Sequence, residues 1–172
     1  MTSQSINSIE ELLQLIVDNS NGYYIKQKNI SSFNNKDGHT IYSKFKYFDD
    51  SITKELLQEH LKNKITLAIS LDSYKSMVFE YYGDRKEAFV ALLKYFLNEE
   101  GIKNIFITNS DSSKITIFST LFDNNTDFFV NLEKKIKKKL YDRLMEDWRV
   151  LPDSSRPKIG NLLTLPRELI KV

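Results

Sequence analysis

The stretch Ser76-Met-Val-Phe-Glu-Tyr-Tyr-Gly-Asp84, read together with residues 85–119, decides the fold. Ser76 to Tyr82 is rich in apolar and aromatic residues and reads as a strand. Asp84 with Glu87 has the spacing of a capping box. Ala88, Phe89, Leu92, Leu93, Phe96 and Leu97 then form a wide apolar stripe at helical spacing. Gly101 stands where a helix-terminating glycine belongs. Asn104 to Thr108 reads as the next strand, Asn109-Ser-Asp-Ser-Ser113 as a polar turn, and Lys114 to Ser119 as the returning strand of a hairpin. That order predicts an α+β domain with a mixed, mainly antiparallel sheet of at least five strands, covered by helices on one face.

Upstream, Ser8 with Glu11 predicts a capped helix over 9–18, ended by Asn19-Ser-Asn-Gly22. Tyr23 to Ile25 reads as a short strand. Thr40 to Phe48 alternates and reads as one strand, after a turn at Asp37-Gly38. Ser51 or Thr53 caps a helix reaching about Asn63, with Ile52, Leu56, Leu57 and Leu61 on its apolar side and His60 on the polar one. Ile65, Leu67, Ile69 and Leu71 give the cleanest period-2 pattern in the chain. Downstream, a loop at Asp123-Asn-Asn-Thr126 leads to a helix extending to about Trp148. Its stripe is Phe129, Leu132, Ile136, Leu140, Leu144 and Trp148. Asn161 to Leu165 reads as a last strand, stopped by Pro166.

Composition bounds the chemistry. The 172 residues are 41% hydrophobic and 28% charged, as expected of one globular domain. There is no cysteine, which removes disulfides, thiol catalysis and cysteine-based zinc or iron–sulfur sites. The two histidines, His39 and His60, are too few for a histidine metal site, and no haem is expected. The opening residues lack a secretory pattern, and no apolar run approaches the ~18 residues that span a bilayer. The expected location is therefore the cytoplasm, with no membrane partner.

Net charge is +2, but residues 133–172 carry +5 and residues 1–132 carry −3. A basic C-terminal quarter points toward phosphate or nucleic acid. Lys134, Lys135, Lys137, Lys138 and Lys139 surround Ile136 and read either as a solvated helix face or as a phosphate-facing rim.

Three segments carry a family resemblance. Leu56-Leu-Gln-Glu-His-Leu-Lys-Asn-Lys64 is followed by Ile69-Ser-Leu71. Met77-Val-Phe-Glu-Tyr-Tyr-Gly-Asp84 leads through a helix and Gly101 into the hairpin. Leu151-Pro-Asp153 precedes Gly160-Asn-Leu-Leu-Thr-Leu-Pro166. Together, over roughly residues 50–168, they resemble the archaeo-eukaryotic primase (prim-pol) domain, in the variant found in bacterial conflict-type systems. The chain also resembles a small uncharacterised bacterial family of unknown function, through Tyr23-Tyr-Ile-Lys26, Trp148-Arg-Val-Leu-Pro152 and Asn161-Leu-Leu-Thr-Leu-Pro166.

The resemblance implies a primase-like core at 50–168 behind an N-terminal region at 1–49. It implies a nucleotide- or nucleic-acid-binding role in DNA or RNA metabolism, with Mg²⁺ as cofactor. Active primases place two carboxylates at i and i+2 of one strand, so that both face a metal pair. Here the first position is Glu80 and the second is Tyr82, and Asp84 is the weaker substitute. The resemblance also implies a histidine in the hairpin, and the position that best fits it here is Thr116, with Lys114 two residues earlier. Degraded catalysis is therefore expected. A working nucleotidyltransferase and a protein-interaction module that keeps the fold are the alternatives. The implied phosphate-binding residues are Lys114, Thr116, Arg149, Arg156, Lys158 and Asn161, with Glu80 and Asp84 toward metal.

Overall fold

The computed structural model describes residues 8–18, 20, 22–36, 39–71, 76–102, 105–111, 114–120, 126–143, 148–153, 155–156 and 158–170. In chain order the elements are α1 (Ile9–Val17), β1 (Tyr23–Lys26), β2 (Ser32–Lys36), β3 (His39–Ser43), β4 (Phe45–Phe48), α2 (Lys54–Leu61), β5 (Leu67–Ser70) and β6 (Ser76–Tyr81). There follow α3 (Lys86–Glu99), β7 (Ile105–Asp111), β8 (Lys114–Thr120), α4 (Thr126–Tyr141) and β9 (Trp148–Leu151). A 3-10 turn (Lys158–Asn161), β10 (Leu162–Thr164) and β11 (Glu168–Ile170) complete the order. The fold class is α+β. Two units divide the chain, the first formed by 1–72 with 155–168 and the second by 73–154 with 169–172.

In the first unit the sheet order is β10-β5-β1-β4, with every neighbour antiparallel. Leu67, Ala68, Ile69 and Leu71 are all buried, so β5 is covered on both faces. The Glu11 N–H donates to Ser8 Oγ at 3.2 Å, as the capping pattern predicts. Thr53 caps α2 by accepting from the Leu56 N–H at 3.3 Å.

Two expectations are corrected here. Residues 40–48 form two strands, because the Phe45 N–H donates to Ser43 Oγ (3.0 Å) and the chain bends at Lys44. β3 therefore pairs with β2, and β4 with β1. His60 is fully buried rather than on a polar face. Its Nδ1 accepts from the Leu67 N–H (3.2 Å), so the ring proton sits on Nε2 and is donated to the Leu165 carbonyl (3.0 Å). Arg167 reinforces the same junction. Its Nε donates to the His60 carbonyl (3.0 Å), and a terminal nitrogen donates to the Ile65 carbonyl and Thr66 Oγ1, each at 3.1 Å.

The second unit is a five-stranded sheet in the order β11-β7-β8-β6-β9. Met77, Phe79 and Tyr81 of β6, with Ile107, Ile117 and Val150, form its apolar face. Phe89, Leu93, Phe96 and Leu97 of α3 and Phe129, Leu132, Ile136 and Leu140 of α4 pack on that face, as the stripes predict. Gly101 follows α3 at φ +78°, a left-handed conformation suited to glycine.

Two readings of this unit change, and one of the first unit. Arg85 takes the N-cap position of α3 and no side chain caps it, so the Asp84–Glu87 capping box is not formed. α4 ends at Tyr141, and Trp148 lies on β9. Helical spacing from Leu140 also reaches 148, but Trp148 follows the strand period of Val150 on the helix-covered face. In the first unit the strand expected over Asn161–Leu165 is the shorter β10, since Asn161 closes the 3-10 turn before it, and β11 follows it as the last strand. Asp37-Gly38, the loop at 123–125 and Leu144 lie outside the described residues.

Of Gly83 and Gly101 in the second unit, Gly83 has the less room for a side chain. A Cβ there would come within 2.6 Å of Tyr81 Cζ. Tyr81 is fully buried, stacks on Phe89 at 4.6 Å and accepts from the Arg85 N–H at 3.3 Å, so it cannot retreat. Gly83→Ala is expected to destabilise by about 1–3 kcal/mol through overpacking, with altered near-UV circular dichroism. Gly101→Ala meets nothing within 4 Å. It should show only the backbone strain of about 1–2 kcal/mol and leave the aromatic spectrum unchanged. Urea unfolding of both variants checks this, and an unperturbed Gly83→Ala protein would be inconsistent with the packing around Tyr81.

Candidate functional site

β6 lies inside its sheet, between β8 and β9. Successive side chains of a strand alternate between faces, so Val78 and Glu80 point away from the helices. Direct pairing places Thr108, Thr116, Glu80 and Arg149 in one row across four strands. Lys114, two residues before Thr116, and Tyr82, two after Glu80, share that face.

Glu80 is fully buried, and both of its oxygens are occupied. Lys114 Nζ donates to Oε1, Arg149 Nε donates to Oε2, and the Tyr82 hydroxyl donates to Oε2 at 2.8 Å. Burial raises the Glu80 carboxyl pKa, but the charges of Lys114 and then Arg149 outweigh it and hold the group below its ordinary value. Burial and then the Glu80 charge push the Tyr82 phenol up. For Arg149 burial works downward, and the Glu80 charge and hydrogen bond carry the net shift upward. The cluster holds one carboxylate against two cations. Its accessible rim is Tyr82, 41% exposed, and the Arg149 side chain, 31% exposed. Thr116 Oγ1, beside Glu80 in the row, is buried without a hydrogen-bond partner.

The other sequence candidates fall as follows. Asp84 is exposed just past β6. A divalent cation on Glu80 would have to displace Lys114 or Arg149, and among the described residues no three His, Cys, Asp or Glu side chains group as a metal site. Arg156, Lys158 and Asn161 belong to the first unit. Asn161 Nδ2 donates to the Arg156 carbonyl at 3.4 Å, and its own carbonyl accepts from the Leu71 N–H at 3.3 Å. Arg156 is exposed, and Lys158 begins the 3-10 turn.

Much of the lysine run is spoken for by acids. Lys135 bonds Glu100 (2.6 Å), Lys139 bonds Glu99 (2.6 Å), and Lys137 bonds Glu133 (2.6 Å) and Asp153 (3.3 Å). The Arg149–Glu80–Lys114 ion pairs are not evident as a unit from the sequence. A signal for them exists, since a lone carboxylate in the apolar strand Met77–Tyr81 needs cationic partners when buried.

Residues 9–79 are similar to the family described as Domain of unknown function (DUF1882). Of the three segments that carry the expected resemblance to a small uncharacterised family, only Tyr23–Lys26 falls within this match. The match stops one residue before Glu80, so the cluster, Trp148–Pro152 and Asn161–Pro166 lie beyond it. No curated protein matches the chain. Among the described residues, no helix is long and apolar enough to cross a membrane.

Proposed function

We propose that this chain is a binding module for phosphorylated ligands, a nucleoside triphosphate or a nucleic-acid end, with a primase-like core that has lost effective nucleotidyl transfer. One observation carries the reading. Among the described residues one buried carboxylate, Glu80, is bonded by both Lys114 and Arg149, which leaves one positive charge of the cluster uncompensated there. Half-burying such a charge is unfavourable, and an anion at the rim would offset that cost. Arg149 reaches the surface beside the Tyr82 hydroxyl, and a guanidinium oriented by a carboxylate suits a phosphoryl oxygen. The Thr116 hydroxyl is a further donor without a present partner. Mg²⁺ would arrive with the triphosphate rather than on Glu80, whose oxygens are already engaged.

The same geometry argues against efficient catalysis. With Tyr82 at the second acidic position, stabilisation of the developing charge lacks a metal ligand, and that is usually the largest catalytic contribution. A thermal-shift panel of nucleotides, inorganic triphosphate and pyrophosphate tests binding. The expected result is a raised melting temperature with triphosphates that Arg149→Gln removes and Lys135→Gln, at the Glu100 pair, retains. No shift by any of these anions would end the reading. A template-dependent primer-extension assay tests the catalytic half, and robust incorporation would overturn it.

A further inference from the structure

The first unit holds a second feature that the Glu80 cluster does not use. Between Gly22 and Phe48 the sequence has five lysines and one acid, a local charge of +4. Seven of the chain's 21 aromatic residues fall in the same stretch. Two of them, Phe33 of β2 and Tyr42 of β3, stand directly opposite each other in register. They are 70% and 65% exposed, the two rings left farthest from burial on this ribbon. Directly opposed residues of an antiparallel pair share a face. Large apolar rings paired on a two-stranded ribbon and left in water call for a partner.

The charge around them selects that partner. Lys26, Lys28, Lys44 and Lys46 are exposed, and among the described residues none of the four is held in an ion pair. Protein-docking patches are depleted of lysine at their centres. Exposed lysines that flank the exposed rings in sequence instead match a ligand that is anionic along its length and offers flat faces for stacking. A duplex hides those faces, whereas a single strand exposes them. We infer that the β2–β3 ribbon with Lys26, Lys28, Lys44 and Lys46 is a docking surface for single-stranded nucleic acid, with Phe33 and Tyr42 as the stacking platform. This inference stands on residues of the first unit and does not rest on the phosphate reading of Glu80.

Fluorescence anisotropy of the full chain with a labelled thymidine or uridine oligonucleotide of about 20 residues tests it. Four lysines neutralising phosphates predict a log–log salt slope of about −3 for a single strand. Phe33→Ala with Tyr42→Ala should weaken binding about a hundredfold. Because both rings are exposed, the melting temperature should hold. Lys26→Gln with Lys44→Gln should flatten the slope by about one to one and a half. Lys135→Gln, at the Glu100 pair, should leave oligonucleotide affinity unchanged, and the double aromatic variant should leave the triphosphate response unchanged, so the two proposals fail separately. The inference is overturned if the duplex binds as tightly as the single strand, if the aromatic double variant keeps its affinity, if Lys135→Gln costs as much as that variant, or if nothing binds up to about 100 μM at low salt.

Discussion

Glu80→Gln is expected to lower the unfolding free energy by about 3–5 kcal/mol, the largest effect of any single polar substitution in the second unit. The side chain is fully buried, and glutamine keeps its volume while removing the charge that Lys114 and Arg149 share. Lys114 then dominates the penalty, since its side chain is 7% exposed against 31% for Arg149. Lys114→Met should cost much less, because Arg149 still faces Glu80. Glu80→Gln with Lys114→Met should be more stable than Glu80→Gln alone, a coupling that a double-mutant cycle in urea reads directly.

The acid side carries the same signature. The folded carboxyl lies below its ordinary 4.5, so its contribution is complete above that value and is lost as pH falls through the folded pKa. Wild type should lose stability there, and Glu80→Gln should lack that part of the slope. Additive single-variant effects would mean that the three side chains do not act as one cluster.

His60→Leu should destabilise by about 2–5 kcal/mol. It leaves the buried Leu67 N–H and the Leu165 carbonyl without partners, each worth about 1–3 kcal/mol when stranded. His60→Gln, able to restore one bond, should recover part of the loss. The pH window differs from that of Glu80. Burial and then the Arg167 charge hold the imidazole below its ordinary 6.5, so its contribution is complete above 6.5 and is lost as pH falls through the folded value. Protonation also removes the acceptor that Leu67 needs. Urea midpoints measured at about pH 7.5 and 5.5 should drop for wild type and stay level for His60→Leu across that window. A variant retaining the wild-type slope would place the titration elsewhere.

Period and punctuation make most of the second unit legible. Alternation in β6, the α3 stripe and the returning hairpin all follow from side chains that must reach one apolar layer. The boundary errors arise where two periods coincide, as at Trp148, which satisfies both the helical spacing from Leu140 and the strand spacing to Val150. β2, β9 and β11 are hidden because short strands have too few residues to show a period, and β2 is mostly polar. His60 is misplaced by its polarity, although Leu56 and Leu57 stand four and three residues before it, which puts it on their stripe. A polar side chain there has to find partners, and Leu67 and Leu165 supply them. Of the site, Glu80, Lys114, Thr116 and Arg149 can be picked out singly. Their alignment in one row depends on strand pairing, which a single sequence does not contain. The ribbon's charge is hidden by averaging, since residues 1–132 are −3 as a whole while 22–48 are +4.

In the proposed function Glu80 orients cations toward an anionic ligand instead of holding a metal. Calorimetric titration of a nucleoside triphosphate into wild type and Arg149→Gln protein, in EDTA and again in Mg²⁺, tests it most directly. Binding should persist in EDTA, and Arg149→Gln should weaken it about tenfold or more, in line with the loss of one charge-assisted contact. Binding that requires Mg²⁺ and is untouched by Arg149→Gln would contradict it.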